Sequence, residues 1–356
     1  MLALSILILM TGSNRSGLRS EEGNTSTQQT SGDSGMVAYD NENHAIWGKE
    51  FELVEIRSPI DGEVQKAYFH ASRSPNPQPL VVSLHTWSGN FEQADPLAEL
   101  CMEKDLNYIH PDFRGPNKSV QACCSELALS DMDESIDFAM EHANLTPSRT
   151  YIIGVSGGGY ATLCMFMKSR HRVDKFSAWV PISDLSAWYR ESRIRGNRYA
   201  EDILQCTGSL GGELDTTRAK ERSPLYWDTP TEKFPGTEVI IHTGIYDGIQ
   251  GSVPITQSIN FYNKLLTDLE VTDPEAYVSP AETLYLLETR LPLKEYGLVA
   301  GRKVCLRKQY HDIRLLIFQG NHEMLPGYAL DELLDLEMSP WPGSGVSKGT
   351  ALRSFP

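Results

Sequence analysis

The sequence has few cysteines, no surplus of basic residues and, after its first ten residues, no long apolar run. Six cysteines in 356 residues are too few for a disulfide scaffold. Lysine and arginine together number 32 against 47 aspartates and glutamates, which gives a formal net charge of -15. Nucleic acids and anionic membranes are bound through basic patches, so this balance argues against either as the main partner. No segment after the N-terminus is apolar enough to predict a transmembrane helix.

Motifs for metals and nucleotides are also missing. No pair of histidines has helical metal-ligand spacing, and no two cysteines have CxxC spacing. The glycines Gly157 to Gly159 are not followed by Lys-Ser or Lys-Thr, so no phosphate-binding P-loop is indicated. The sequence therefore predicts neither a metal nor a cofactor. One or two disulfides are compatible with it, but at most one member of the adjacent pair Cys123 and Cys124 is expected to reach a distant partner.

The N-terminal residues resemble an export segment. Leu2 to Met10 is an apolar run of signal-peptide length, and Glu21 to Gly35 contains no apolar residue, as is typical of a disordered linker. We therefore expect residues 1–35 to be an export signal with a linker, and residues 36–356 to form a single domain. The protein is then secreted, periplasmic or held at the cell surface. The alternative for the apolar run is a buried strand.

The rest of the chain alternates between strand-like and helix-like segments. Apolar runs such as "PLVVSLHTW", "NYIHPDFRG", "TEVIIHTG" and "IRLLIFQG" predict strands buried on both faces. Amphipathic segments between them predict helices, one of which is expected to begin at Ser130 with Asp133 in a capping box. This alternation predicts an α/β fold with a mostly parallel, twisted sheet covered by helices on both faces.

The segment "TYIIGVSGGGYATL" places Gly154, Ser156 and Gly158 in a G-x-S-x-G pattern between a predicted strand and a predicted helix. In that setting the pattern is typical of a nucleophile elbow, where a serine lies on a sharp turn and glycines let the neighbouring backbone pass close to it. The helix that follows directs its N–H groups and its positive dipole end toward the serine. The alternative is a glycine-rich turn that binds phosphate or closes the packing.

A serine hydroxyl needs a base, and the base needs an acceptor that holds it in one tautomer. Asp247 follows the strand "TEVIIHTG", and His322 follows the strand "IRLLIFQG". Catalytic groups gather at the carboxyl ends of parallel strands. Alone, each residue would more often have a purely structural role, Asp247 as a turn former and His322 as a helix-capping or surface residue. Together they predict that Ser156, His322 and Asp247 form a catalytic triad.

Acyl transfer also needs hydrogen-bond donors for the oxyanion that develops on the substrate. We expect one donor to be the backbone N–H of Gly157, directly after the nucleophile. The second is expected from the loop "HTWSGN", with Trp87 as the first choice and Thr86 as the next. His85 is expected to shape this loop. The alternative is that the loop is only a turn.

The segments "GVSGGGYATL", "HTGIYDGIQGSVPITQSINFYNKL" and "FQGNHEM" resemble the serine, aspartate and histidine segments of the α/β-hydrolase superfamily. The resemblance is to its prolyl oligopeptidase-like and dienelactone hydrolase-like members, and it covers residues Leu80 to Leu334 in pattern. It implies a serine esterase without a cofactor. Two alternatives are a peptidase that acts on short peptides and a silent hydrolase fold that serves as a binding module. "LHTWSGN" departs from the His-Gly start that the family's oxyanion loop usually has.

The same resemblance implies a cap inserted at about residues 185–235, which contains the arginine-rich segment "WYRESRIRGNR". Arginine suits the recognition of carboxylates, and tryptophan offers a flat face for a sugar ring. We therefore predict an acidic plant polysaccharide or oligosaccharide such as pectin as the substrate, cleaved at a methyl ester or an O-acetyl group. The alternatives are salt bridges to the abundant carboxylates and a place for Trp188 in the core. The predicted substrate-binding residues are Arg114, Arg190, Arg193, Arg195 and Trp188.

Overall fold

The computed structural model describes residues 47–234 and 236–336. The export segment and linker predicted for residues 1–35, and the domain boundary predicted after them, lie outside this part of the chain. Within the described residues, no helix has both the length and the apolar composition that a membrane span requires.

Ten strands of the described residues form one sheet, in the spatial order β1-β2-β4-β3-β5-β6-β7-β10-β9-β8. In chain order the strands are β1 Glu52–Arg57, β2 Val64–His70, β3 Gln78–Leu84, β4 Asn107–Pro111, β5 Leu145–Val155, β6 Lys175–Trp179, β7 Glu238–Gly244, β8 Leu298–Val299, β9 Arg302–Tyr310 and β10 Ile313–Phe318. From β4 to β10 every neighbouring pair is parallel, whereas β1, β2, β8 and β9 add antiparallel edges. The prediction of a mostly parallel sheet is confirmed.

Helices cover both faces of this sheet. They are α1 Pro96–Glu103, α2 Glu126–His142, α3 Gly157–Lys168, α4 Leu185–Arg195, α5 Tyr199–Cys206, α6 Thr216–Glu221, α7 Thr256–Asp268, α8 Pro280–Thr289 and α9 Pro326–Leu333. Side chains of β3 alternate between the faces: Leu80 and Val82 join the core under α2, α3 and α7, and Val81 joins the core under α1 and α9. The central strands therefore need apolar residues on both faces, which is why they are continuous apolar runs in the sequence.

One local prediction was wrong, and one strand was not predicted. Helix α2 begins at Glu126, because the Ser125 hydroxyl caps it by accepting from the Ala128 N–H, so Ser130 and Asp133 lie inside the helix. Strand β9 was not among the predicted strands, and it pairs antiparallel with β10 along most of its length. Its sequence RKVCLRKQY mixes charged and apolar residues, as suits a strand near a sheet edge.

The insertion predicted for residues 185–235 supplies α4, α5 and α6 between β6 and β7. We call these three helices the cap. The N-terminus of α4 is fixed by Asp184, whose side chain accepts from the N–H groups of Ser186 and Ala187. The C-terminus of α4 ends at Gly196 in a left-handed conformation. The chain then turns at once into α5, so the first two cap helices pack against each other.

Helix α3 begins unusually close to the ends of β3 and β5. A Cβ atom on Gly158 would lie 2.1 Å from the carbonyl oxygen of Leu84, and one on Gly154 would lie 2.3 Å from the carbonyl carbon of Gly158. Both obstacles are backbone atoms, which cannot rotate away as a side chain can. The first and last glycines of the G-x-S-x-G pattern are therefore required by backbone packing.

We expect Gly158→Ala to destabilise the fold by about 2–3 kcal/mol, because its methyl group has to displace either α3 or the end of β3. The midpoint of urea denaturation, with the slope unchanged, measures this. Gly327→Ala in α9 is the matched control, since nothing lies within 4 Å of the added atom. It should be neutral or slightly stabilising. Equal midpoints for the two variants would contradict the packing argument.

Candidate active site

Ser156 occupies a strained turn between β5 and α3. Its backbone angles are φ 59° and ψ -117°, a conformation that costs a residue with a side chain about 1–3 kcal/mol. Two hydrogen bonds hold it there: its N–H donates to the Trp179 carbonyl at 2.9 Å, and its carbonyl accepts from the Tyr160 N–H at 2.8 Å. The Ser156 side chain makes no capping bond to α3. The turn therefore has the conformation expected of a nucleophile elbow.

Asp247 and His322 are joined by a hydrogen bond. The Nδ1 atom of His322 lies 2.7 Å from Oδ2 of Asp247, and the two side chains are 7% and 0% exposed. The other carboxylate oxygen, Oδ1, accepts from the N–H groups of Gly248 at 2.9 Å and Val253 at 3.0 Å. These three bonds satisfy a carboxylate that is almost fully buried. Because the carboxylate accepts at Nδ1, the ring is held in one orientation with Nε2 directed away from Asp247.

The loop after β7 surrounds this pair. An added Cβ on Gly251 would lie 2.2 Å from Asp247 Oδ1 and 2.5 Å from the Cβ atom of His322. Ser156, Asp247 and His322 follow β5, β7 and β10, whose carboxyl ends lie at the same edge of the parallel sheet. The structure thus brings the three predicted residues to one edge and joins two of them directly.

The predicted oxyanion donors, Gly157 and Trp87, lie against each other. An added Cβ on Gly157 would lie 2.2 Å from the backbone nitrogen of Trp87. The alternative donor, the N–H of Thr86, instead donates to Oε1 of Gln93 at 2.8 Å. His85 stacks on Phe113 at 3.7 Å between ring centroids, and its Nδ1 atom contacts the Thr86 carbonyl, which agrees with a role in shaping the loop.

Comparisons with known proteins agree with this arrangement. A model of the α/β-hydrolase fold family matches residues 79–203. The protein Bem46 of Schizosaccharomyces pombe is 22% identical over 125 residues, which are 35% of this chain and 42% of Bem46. The acylaminoacyl peptidase of Pyrococcus horikoshii aligns with a TM-score of 0.54 at 15% identity, over 80% of this chain and 40% of that one.

A puromycin-hydrolysing peptidase of Mycobacterium tuberculosis aligns with a TM-score of 0.52 at 16% identity, over 80% of this chain and 37% of that one. The chain has an α/β-hydrolase fold. The resemblance that the sequence indicates is confirmed, and the chain spans less than half the length of each of these three proteins. The strand-turn-helix at Ser156 lies within the matched region of this hydrolase fold.

The cap of this α/β-hydrolase fold contacts the loop that carries Trp87, and the sequence did not predict this contact. The indole Nε1 of Trp87 donates to Oδ2 of Asp202 in α5 at 3.2 Å, and Arg198 donates to the Ser88 hydroxyl at 2.8 Å. Burial raises the pKa of the Asp202 carboxyl, and the bond from Trp87 partly opposes that rise. No local signal marks Asp202, because its partner is 115 residues away.

Two predicted substrate-binding residues are used inside the protein, which corrects those predictions. The guanidinium of Arg114 binds the carboxylates of Asp61 and Asp131, and its side chain is 4% exposed. Trp188 is fully buried, donates from its indole to the Ser252 carbonyl at 2.9 Å, and packs edge-on against Trp87. Neither side chain is available to a substrate, because carboxylates already bind the guanidinium of Arg114 and the ring of Trp188 is packed against other aromatic rings.

The three remaining arginines lie on α4 and are exposed. Arg195 donates to the carbonyls of Gly251 and Ile249, so it connects the cap to the loop around Asp247 and His322. Arg193 lies over the ring of Tyr189 at 5.9 Å and donates weakly to its hydroxyl. Arg190 lies on the same helix. Its positive charge partly opposes the rise in the pKa of Tyr226 that burial and Asp184 cause. Arg190 and Arg193 therefore keep the exposure that a substrate-binding role needs.

We expect Asp247→Asn to slow labelling of the protein by a fluorophosphonate probe about 10³- to 10⁴-fold. The asparagine oxygen is held by the N–H groups of Gly248 and Val253, so the amide nitrogen has to face Nδ1 of His322. The ring then adopts the tautomer with a proton on Nε2, which cannot accept one from a serine. Asp268→Asn at the end of α7 is the control, and slowing of less than threefold in Asp247→Asn would refute the tautomer argument.

Proposed function

We propose that the protein is a serine hydrolase that cleaves carboxylic esters through a covalent acyl-enzyme. The observation that carries this proposal is the 2.7 Å contact between His322 and Asp247 at the sheet edge where Ser156 stands on its strained turn. A binding module has no need of an oriented imidazole beside a nucleophile elbow. That constellation therefore favours an enzyme over a silent fold.

In this mechanism the Ser156 hydroxyl attacks the ester carbonyl while Nε2 of His322 takes its proton. The N–H groups of Gly157 and Trp87 stabilise the oxyanion, and the Asp247 carboxylate stabilises the imidazolium that forms. His322 then gives the proton to the departing alcohol. Water, activated by the same imidazole, hydrolyses the acyl-enzyme and releases the acid.

The closeness of the cap favours an ester with a small acyl group. Ser156 is 3% exposed, Trp87 is 2% exposed, and Asp247 is 2% exposed. A bulky acyl group reaches such a nucleophile only if the cap moves, whereas an acetyl group needs little space and leaves the alcohol outside. An O-acetyl group on a sugar is therefore favoured over a methyl ester, in which the polymer itself is the acyl part.

The second candidate is cleavage of amide bonds in short peptides or aminoacyl conjugates. It is favoured by the peptidase activities in the names of the two solved proteins that share the fold. Amide hydrolysis uses the same residues, but it depends more on His322 as the acid because an amine leaves less readily than an alcohol. A panel of p-nitrophenyl acetate, an acetylated oligosaccharide, a methyl ester and an acyl-aminoacyl peptide separates the candidates by kcat/KM.

We expect Ser156→Ala to lower turnover of p-nitrophenyl acetate at least about 10³-fold and to abolish fluorophosphonate labelling, because no other group replaces the nucleophile. Ser192→Ala is the matched control. Ser192 is also buried, and its hydroxyl has no hydrogen-bond partner among the described residues. If the wild-type protein is not labelled, it is a silent fold. If Ser156→Ala keeps its activity, the nucleophile is wrongly assigned.

We further propose that the substrate is an acidic polysaccharide and that the protein acts on it outside the cell. The acidic substrate is argued from Arg190 and Arg193. Both are exposed on α4, where Arg193 contacts the Tyr189 side chain, whereas Arg114 binds two carboxylates and Arg195 binds backbone carbonyls. Against a net charge of -15, two neighbouring cations on the cap give an anionic ester a local site of attraction.

We expect Arg193→Ala to raise KM about three- to tenfold for an anionic acetyl ester and to leave KM for a neutral ester unchanged, since only the former loses a charge contact. The difference should shrink as salt rises. Arg73→Ala is the control, because this exposed arginine follows β2 at the opposite edge of the sheet. Equal changes for both esters would leave the ester hydrolase without a preference for acidic substrates.

A further inference from the structure

Four buried cysteines lie near the hydroxyl group of Tyr160, a residue in the first turn of α3. They are Cys123 and Cys124, which precede α2, Cys164 in α3, and Cys206 at the end of α5. Burial raises the pKa of the Tyr160 hydroxyl, and the four neighbouring thiols add to that rise. Among the described residues no group of histidines, cysteines or carboxylates is arranged to hold a metal ion, so this cluster is not a metal site.

Within the cluster, the thiols of Cys123 and Cys206 are in direct contact although the two residues are far apart in the sequence. The sulfur atoms of Cys206 and Cys123 lie 2.6 Å apart, and the two residues are 83 positions apart. Both side chains are fully buried. A disulfide has an S–S bond of about 2.05 Å, so a bond between these two atoms needs only a small movement.

The backbone around Cys123 is fixed in a conformation that keeps its thiol in place. Cys123 and Cys124 have positive φ angles of 56° and 48°, which residues with a side chain rarely adopt. The Cys123 N–H donates to Oδ1 of Asn117 at 2.7 Å, and the Cys123 carbonyl accepts from the Tyr160 hydroxyl at 3.0 Å. A strained segment that several bonds hold in place is the kind of feature that marks a site with a role.

The pair lies where the cap meets the body of the domain. Cys206 ends the helix whose Asp202 binds the Trp87 indole. Nearby, Arg222 after α6 donates to the carbonyls of Val120 and Ala122. A bond between Cys123 and Cys206 would therefore fasten α5 to the segment before α2 and limit the movement of the cap over Ser156.

We propose that Cys123 and Cys206 are a disulfide site that locks the cap onto the catalytic domain. With a small-molecule disulfide such as glutathione disulfide as the oxidant, one thiolate attacks a sulfur of the oxidant and one glutathione leaves. The second thiolate then attacks the mixed disulfide, so two protein thiols become one S–S bond and two glutathione molecules are formed. This inference does not depend on the proposed ester hydrolysis, because the disulfide between Cys123 and Cys206 can be detected by peptide analysis without any activity assay.

Access of the oxidant to the pair determines when this bond forms. Burial raises the pKa of the Cys206 thiol, and the adjacent Cys123 thiol adds to that rise. A buried neutral thiol is a poor nucleophile, so exchange in the closed protein is slow. The bond therefore forms while the chain folds or when the cap opens, and once formed it resists small-molecule reductants.

The test uses the full chain refolded in a glutathione redox buffer, digested without reduction at low pH, and analysed by mass spectrometry. We expect a cross-linked peptide pair whose fragments join Cys123 to Cys206, and two fewer thiols alkylated after denaturation than in the reduced protein. Bridges joining Cys123 to Cys124, or Cys124 to Cys206, would overturn the proposal. Full alkylation of every cysteine in the oxidised protein would overturn it as well.

The effect on the fold is measured by thermal unfolding of oxidised and reduced protein. We expect oxidation to raise the Tm of the wild type by about 5 °C or more, because the bond closes a long loop. Cys305→Ser, which removes a buried cysteine outside the cluster, should keep this rise, and Cys206→Ser should lose it. An equal rise in Cys206→Ser would overturn the proposal. Should that variant not fold, the peptide analysis of the wild type decides alone.

Discussion

The close approach of the first turn of α3 to the backbone after β3 is the constraint on which the site depends. Gly157 and Gly158 contact the backbone of Trp87 and Leu84 at distances that leave no room for a Cβ atom. Ser156 has its positive φ of 59° directly beside this contact, and Gly157 lies against the backbone nitrogen of Trp87. One packing contact therefore involves both the turn of the predicted nucleophile and the two predicted oxyanion donors.

The cap is connected to both halves of this site. Through Asp202 and Arg198 it holds the loop that carries Trp87, and through Arg195 and Trp188 it holds the loop that carries Asp247. Several of these contacts are hydrogen bonds to backbone carbonyls, which constrain the path of each loop. The cap residues therefore help to position the two loops that carry the predicted oxyanion donor Trp87 and the triad candidate Asp247.

The triad candidates could be read from the sequence because each follows an apolar strand within a few residues. Parallel strands bring such positions to one edge wherever the intervening chain goes. The roles of Arg114, Trp188 and Arg195 could not be read in this way. Their partners, Asp131, Ser252 and Gly251, are far from them along the chain, and nothing in the sequence marks those contacts. The start of α2 was missed for a smaller reason, since Ser125 and Ser130 are both acceptable caps and only the fold selects one.

The contacts of the cap with the loops that carry Trp87 and Asp247 couple the position of the cap to the geometry of the candidate active site. If the cap lifts far enough to admit a wide substrate, Asp202 leaves the Trp87 indole and Arg195 leaves the Gly251 carbonyl. The first loss frees the loop that carries Trp87, the predicted oxyanion donor, and the second frees the loop around Asp247 and His322. An open cap thus admits substrate to a site whose donors and base are less well held. Substrate that fits beneath the closed cap meets a preorganised site, and preorganised donors are the main source of transition-state stabilisation in acyl transfer. In the proposed ester hydrolysis, a preference for a small acyl group would therefore follow from the way that the cap is attached, without any side chain dedicated to recognising that group.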